Sequence, residues 1–186
     1  MALQLKSPHN YLPYLHKHSD NSEFDSIIDL LTASKYHTIL TADAPIYIET
    51  LRKFWANATV LLQNKKPFKI ISKVDDKNVE ITPELISTTF NLNDSTGSDF
   101  FPKNDLQSEF IERGYEAQMV GATLQKPHFP PKMKFLFHTL LICLSAKTTS
   151  FNEIPSKVQS LGYAILTNTD YRLSLTIFMD LVGNVN

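Results

Sequence analysis

Residues 130–155, PPKMKFLFHTLLICLSAKTTSFNEIP, contain the most apolar helix-forming stretch of the chain. Pro131 suits the first turn of a helix, because it has no N–H to leave unpaired. The apolar residues that follow lie nearly all round a helix, which is typical of a buried core helix. At about 15 residues this helix is roughly 22 Å long, too short for a bilayer that needs about 20 apolar residues. The stretch therefore predicts a folded domain built around one central helix.

Apolar residues at helical spacing predict further helices on both sides of this stretch. Asp20 and Glu23 have the spacing of a capping box ahead of one apolar face, and Thr82 can cap a helix that opens with a proline. The helix after the central one begins either at a second capping box from Ser150 or at Pro155. The predicted helices cover about residues 20–34, 43–64, 82–90, 104–114, 131–145, 150–167 and 170–183.

One part of the chain has the two-residue period of β-strands. Residues 68–74 and 79–81 alternate apolar and polar side chains around the polar link Asp75-Asp76-Lys77-Asn78. This pattern is typical of a β-hairpin.

Together these patterns predict a mainly α fold. We expect a single helical domain of about six or seven helices with one small β-hairpin at about residues 68–82. The domain is predicted over residues 20–186, behind an irregular N-terminal arm at residues 1–19.

Composition and charge favour an ordinary globular protein. The formal net charge of −1 gives no strong attraction to nucleic acid or to an anionic membrane. The single cysteine, Cys143, cannot form an internal disulfide, which favours a reducing compartment. The N-terminal residues lack the apolar core of a signal peptide, and no transmembrane run follows. We therefore expect an intracellular protein, nuclear or cytoplasmic, without a membrane partner.

Few residues have the spacing of a catalytic or metal site. His16 and His18 are the closest histidine pair, but their spacing fits no zinc pattern. His138 is predicted to be a hydrogen-bonded core residue, and Cys143 an inert buried thiol. Glycine-rich phosphate loops and the common hydrolase motifs are absent from the sequence. We therefore predict a protein that is not an enzyme, with no catalytic residue, no metal and no cofactor.

The hairpin region carries the best candidate for contact with nucleic acid. Lys65, Lys66, Lys69 and Lys73 cluster around Phe68, and basic residues interleaved with aromatics are typical of such surfaces. The alternative interpretation is a solvated strand face, because edge strands commonly carry lysine to prevent pairing with other sheets.

Several segments resemble retroelement-associated proteins of daisy-family plants, which often stand where a Gag-like product stands in a retrotransposon. The hairpin and the helix after it are more remotely similar to the putative plant transposon protein domain and to the plant mobile domain. The resemblance implies a transposon-derived origin and brings no catalytic residues with it. In chain order the similar segments are FDSIIDLLTASKYHTILT, LRKFWANA, ISKVDDKNVEIT with PELISTTFNL, RGYE, and PPKMKFLFHTLLICLSAKTTSFNEIP.

The chain also departs from a complete Gag protein. It has no Cys-x₂-Cys-x₄-His-x₄-Cys zinc knuckle, no Asp-Thr/Ser-Gly protease motif and no basic tail. The link Asp75-Asp76-Lys77 stands where related sequences often show Gly-Lys, which leaves the turn type open.

Two functions follow as expectations. The first is a non-enzymatic transposon-derived domain that acts through protein–protein association or self-association, including capsid-like assembly. Its predicted interface consists of Phe100, Phe101 and Phe129, which lie on predicted loops. The alternative is a host-adopted binding module for nucleic acid, or for a small apolar ligand held in a pocket among the helices.

Overall fold

The computed structural model describes residues 15–17, 19–42, 47–116, 124–144 and 152–185. These residues fall into two compact units. The first unit contains the described residues between 47 and 96 and between 172 and 185, and the second contains the others. The predicted arm, residues 1–19, lies mostly outside the described residues. The division into this arm and one domain over residues 20–186 stays a prediction.

The predicted fold class, a mainly α domain with one small hairpin at about residues 68–82, is wrong. The described residues form eight α-helices, one three-stranded antiparallel sheet and one two-stranded antiparallel sheet, so the fold is mixed α and β. In chain order the elements are α1 (Asp25–Ala33), α2 (His37–Leu40), α3 (Ile48–Ala56), β1 (Thr59–Gln63), β2 (Lys66–Val74), β3 (Lys77–Ile81), α4 (Pro83–Thr89), α5 (Lys103–Glu112), β4 (Leu124–Gln125), α6 (Pro131–Leu144), β5 (Glu153–Ile154), α7 (Ser156–Thr167) and α8 (Leu173–Val182).

The main error concerns β1, which the sequence interpretation placed at the end of a helix. Its residues, TVLLQ, show no alternation, so their period does not identify a strand. The two-residue turn after β1 decides the structure, because Asn64 and Lys65 have φ values of 52° and 64°. Two positive φ values in a row define the type I′ hairpin turn, which returns the chain along β1.

The turn between β2 and β3 has the same geometry. Asp75 and Asp76 have φ values of 47° and 65°, so this turn is also type I′ although it contains no glycine. Short acidic and amide side chains tolerate the left-handed region better than other non-glycine residues do. The turn Asp75-Asp76, whose type the sequence left open, is therefore type I′.

The first unit packs helices against one face of the sheet, whose strand order is β1-β2-β3. Ile70, at the middle of β2, is fully buried and lies opposite Val60 on β1 and Ile81 on β3. The helices α3, α4 and α8 contribute Phe54, Ile86 and Phe178 to the same core. Ser72, buried on the same face of β2, donates its hydroxyl to the Phe54 carbonyl oxygen at 2.7 Å.

A buried carboxylate connects distant segments of the first unit. Asp94 has no exposed surface, and its Oδ1 accepts hydrogen bonds from the Ser87 and Ser174 hydroxyls, both at 2.8 Å. Its Oδ2 accepts the backbone N–H of Ser174 at 2.8 Å. Because Ser174 is the second residue of α8, Asp94 also satisfies a donor that the helix itself leaves unpaired. One side chain therefore joins α4, the loop after it and the start of α8.

The second unit is built on the contact between α6 and α7. Gly162 on α7 lies against the ring of Phe137 on α6. The Phe137 ring is fully buried, with its centroid 5.4 Å from that of Phe110 and 4.9 Å from that of Phe129. Phe129, which the sequence placed on a loop, is therefore part of an aromatic core.

A hydrogen-bonded tyrosine joins the two ends of the second unit. The buried Tyr36 hydroxyl accepts the backbone N–H of Tyr171 at 3.0 Å and donates to the Tyr171 carbonyl oxygen at 3.2 Å. Lys35, beside it, forms an ion pair with Asp170. This arrangement fixes the end of α1 near the residues that follow α7.

The helix α6, predicted to be a buried core helix, has one face buried in the core and an exposed edge. Its buried residues include Met133, Phe137 and Leu140, whereas Lys132 and His138 are exposed. Local composition did not show this, because Phe135 and Ile142 on the outer side are themselves apolar and half-buried. Within the described part of the chain, no helix combines the length and the apolar character that a bilayer crossing requires.

We expect Asp94→Ala to lower the free energy of unfolding by about 2–4 kcal/mol, because two buried donors and one part-buried donor lose their acceptor at once. Ser174→Ala removes one of the three bonds and should cost about 1 kcal/mol. Urea unfolding followed by circular dichroism measures both. The exposed neighbour Ser95 provides the control, and Ser95→Ala should change stability by less than about 0.5 kcal/mol. An Asp94→Ala protein as stable as this control would contradict the role of the buried carboxylate.

We expect Gly162→Ala to destabilise the second unit, although alanine favours a helix by about 1 kcal/mol over glycine. An added Cβ would lie 2.5 Å from Cε1 of Phe137, whose fully buried ring is itself in contact with the rings of Phe110 and Phe129. Overpacking of this kind costs about 1–3 kcal/mol. Gly183→Ala is the matched control, since its Cβ would come no closer than 3.4 Å to Asp180 O. Thermal unfolding that ranks the two variants in the opposite order would contradict the packing argument.

Candidate functional site

The sequence predicts no metal site, and its closest histidine pair is His16 and His18. Across the described ranges, no group of three or more His, Cys, Asp and Glu side chains is placed to hold a metal ion. His16 is exposed, and His18 lies outside the described residues.

His138 and Cys143 lie on α6 in different environments. The prediction of a core position for His138 is wrong, because this residue lies exposed on the outer edge of α6. Partial desolvation, followed by the positive charge of Lys126, lowers the pKa of His138. Burial raises the pKa of the Cys143 thiol to about 11, so little thiolate forms at neutral pH. This agrees with an inert thiol.

The four hairpin lysines divide into two groups in the structure. Lys69 forms an ion pair with Glu80 at 2.7 Å, and Lys73 forms one with Asp76 at 3.1 Å. Lys65 and Lys66 lie exposed at the turn between β1 and β2. Of the lysines predicted from the sequence to form a cluster, Lys69 and Lys73 are therefore neutralised by carboxylates, whereas Lys65 and Lys66 are exposed at the turn.

The three phenylalanines predicted to form an interface also separate. Phe100 is 75% exposed, more than the other exposed large apolar residues of the described chain. The ring of Phe101 packs on Tyr163 and Tyr171, with centroids 4.7 and 5.9 Å away. Phe129 is 2% exposed in the aromatic core, so its ring is not available to a partner. Of the predicted set, Phe100 alone presents most of its ring to solvent.

The second unit contains an apolar groove that the sequence did not indicate. It has a volume of about 600 Å³ and lies where α1 packs beside the start of α6 and the end of α7. Its floor contains the buried side chains of Ile27 and Met133, and charged side chains lie along its edges. The remaining lining residues are Glu23, Ser26, Leu30, Arg113, Pro130, Pro131, Lys132 and Leu166. We call this feature the α1–α6 groove.

Charges of both signs border the α1–α6 groove. Glu23 lies on the α1 side, while Lys132 lies at the start of α6 and Arg113 at the end of α5. Arg113 is bonded to Glu109, with Nε and Oε1 2.8 Å apart, so Lys132 is the more available cation. The groove therefore suits an apolar segment that carries flanking charges.

The first unit presents an exposed apolar ridge on α3. Tyr47, the residue that precedes the first turn of α3, and Leu51, one turn later, are 45% and 42% exposed. Phe54, three residues after Leu51 and close to the same side of α3, is buried in the core. Glu49 and Arg52 lie toward the other side of α3 and are bonded to each other at 3.0 Å. We call Tyr47 and Leu51 the α3 ridge.

Comparison with known proteins identifies no relative of this chain. Searches against protein-family models, curated proteins and solved structures find nothing that matches this chain. The resemblance to retroelement-associated proteins of daisy-family plants, and to the plant mobile domain, therefore stays a prediction.

We expect Cys143 to make the free energy of unfolding fall as pH rises from about 9 to about 11, by about 2–3 kcal/mol. The unfolded thiol releases its proton near pH 9.0, whereas the folded thiol keeps it until about 11. The stabilising difference is thus present below this window and is lost within it. Urea unfolding at several pH values, compared with Cys143→Ser, isolates this contribution from those of lysine and tyrosine. If the free energy of unfolding of both proteins changed in parallel with pH, the result would contradict this role of Cys143.

Proposed function

We propose that this protein is a non-enzymatic module that associates with further copies of itself in a head-to-tail manner. In this arrangement the α3 ridge of one copy occupies the α1–α6 groove of the next. The observation that carries the proposal is the groove, an open apolar depression of about 600 Å³ with charged edges on the second unit.

The chemistry of the two surfaces supports the pairing. A helix that lays an apolar face into a hydrophobic groove is a recurrent mode of protein recognition, with anchors spaced three or four residues apart. Tyr47 and Leu51 have that spacing and are exposed, so docking would remove their apolar surface from water. Ile27 and Met133 supply the apolar floor that would receive them.

Charge complementarity favours a second copy as the occupant. Besides the ridge, the helix α3 carries Glu49 and Arg52, which are both well exposed and paired with each other. The groove is lined by both Lys132 and Glu23, so the Glu49–Arg52 pair can exchange partners on docking, Glu49 with Lys132 and Arg52 with Glu23. Such pairs at the edge of an interface contribute to orientation and association rate more than to affinity.

A heterologous pairing of this kind leads to extended assembly. Each copy keeps one unused groove and one unused ridge after the first contact, so association continues until a ring closes or a filament grows. The resemblance to Gag-like products also leads us to expect assembly, and the head-to-tail arrangement would provide it.

We expect light scattering after size exclusion to show a mass that increases with protein concentration between about 10 µM and about 1 mM. Leu51→Glu should raise the apparent dissociation constant at least about tenfold, because a charge replaces a central apolar contact. Leu30→Glu in the groove should do the same, and Pro131→Glu on its exposed edge provides a second groove variant if the first is unstable. Leu85→Glu is the matched control, since Leu85 is an exposed leucine outside both surfaces.

Mixing the two variants tests the geometry itself. Leu51→Glu keeps an intact groove and Leu30→Glu keeps an intact ridge, so an equimolar mixture should form a one-to-one dimer that grows no further. A symmetric interface would instead leave both variants and their mixture monomeric, which would refute the head-to-tail arrangement. A wild-type protein that stays monomeric over the whole concentration range would refute self-association. Binding of a small apolar probe in the groove would then favour the ligand alternative.

A further inference from the structure

The turn between β1 and β2 presents a compact surface that the groove and the ridge do not involve. It combines two exposed apolar side chains, Leu62 at 61% and Phe68 at 37% exposure, with the exposed lysines Lys65 and Lys66. We call these four residues the basic tip.

The positive charge of the basic tip is not neutralised by its surroundings. Within the described part of the chain, neither Lys65 nor Lys66 has a carboxylate within ion-pair distance, in contrast to Lys69 and Lys73. The nearest acidic turn along the hairpin, Asp75-Asp76, lies at the other end of β2, about 30 Å away along the strand. That separation exceeds the Debye length of about 8 Å at physiological salt. The closer carboxylate of Glu80 is paired with Lys69, so an anion at the tip is attracted mainly by Lys65 and Lys66.

The backbone holds the four side chains of the basic tip in place. The register of β1 and β2 shifts between Leu61 and Leu62, so that Leu62 lies opposite Pro67 and Phe68 becomes the extra residue of a bulge. The type I′ turn, with Asn64 and Lys65 in the left-handed region, fixes the backbone that carries the two lysines. The apolar residues and the cations are thus presented together by a short, hydrogen-bonded hairpin.

We propose that the basic tip binds single-stranded nucleic acid. The ammonium groups of Lys65 and Lys66 pair with successive phosphates, and the partly exposed ring of Phe68 stacks on an unpaired base. Stacking of bases on aromatic side chains beside a basic surface is the general mode of single-strand binding. A duplex offers its phosphates but not the face of a base, so the aromatic residue favours a single strand.

The two lysines set the expected salt dependence. Each phosphate neutralised on a single strand contributes about −0.7 to the slope of log affinity against log salt. Two contacts give a slope of about −1.4, so that raising the salt from about 25 mM to about 200 mM weakens binding about 20-fold.

Fluorescence polarisation with a labelled oligothymidine of about 12 nucleotides tests the proposal at low salt. Lys65→Glu combined with Lys66→Glu should weaken binding at least about 20-fold. Phe68→Ala should weaken it between about fivefold and 100-fold, and Phe68→Tyr should keep it within about twofold, because tyrosine also stacks. Lys77→Glu combined with Lys103→Glu is the charge-matched control, with both lysines exposed outside the tip, and should stay within about threefold.

Three results would overturn the proposal. One is the absence of oligonucleotide binding by the wild-type protein at low salt. Another is an equal loss in the charge-matched control, which would show a general effect of net charge. The last is binding to vesicles of phosphatidylcholine and phosphatidylserine with no binding to the oligonucleotide, which would assign the tip to an anionic membrane surface. A circular dichroism melt of each variant separates lost binding from lost folding.

Discussion

The first unit depends on the burial of one charged side chain. A carboxylate without exposed surface is tolerated only when donors replace the water that it loses, and Asp94 receives three of them. Two come from Ser174, which is 80 residues away in the chain. The bond fixes the start of α8, and α8 in turn supplies Phe178 to the core against β2. The sheet that presents the basic tip therefore has its helical support fixed by a polar contact.

The second unit depends on close packing rather than on a buried charge. Gly162 lets α7 approach the ring of Phe137, and the neighbouring rings of Phe110 and Phe129 fill the space around it. Because the core side of α6 is occupied in this way, its first turn is left to line the α1–α6 groove with Pro131 and Met133. The candidate binding site thus lies where helix packing leaves apolar surface uncovered.

Sequence reasoning identified most helices and the β2–β3 hairpin, since capping residues and apolar spacing are local signals. Thr82 caps α4 as predicted, accepting the N–H of Leu85 at 3.1 Å. Sequence reasoning did not predict the strand β1. Its five residues show no alternation, and they form a strand because they pair with β2. Sequence reasoning also placed Phe129 on the surface, because a residue next to prolines is typical of a loop. In the structure its ring packs on Phe110 and Tyr115.

The sequence by itself determined where helices begin and where the chain turns, because caps, prolines and the Asp75-Asp76 link act within a few residues. It also identified the lysines beside Phe68. The tertiary structure alone decided which of those lysines are neutralised, which face of α6 meets solvent, and that α1, α6 and α7 enclose a groove. Ion pairing and burial depend on residues that are distant in the chain, and a linear pattern carries no record of which distant residues meet.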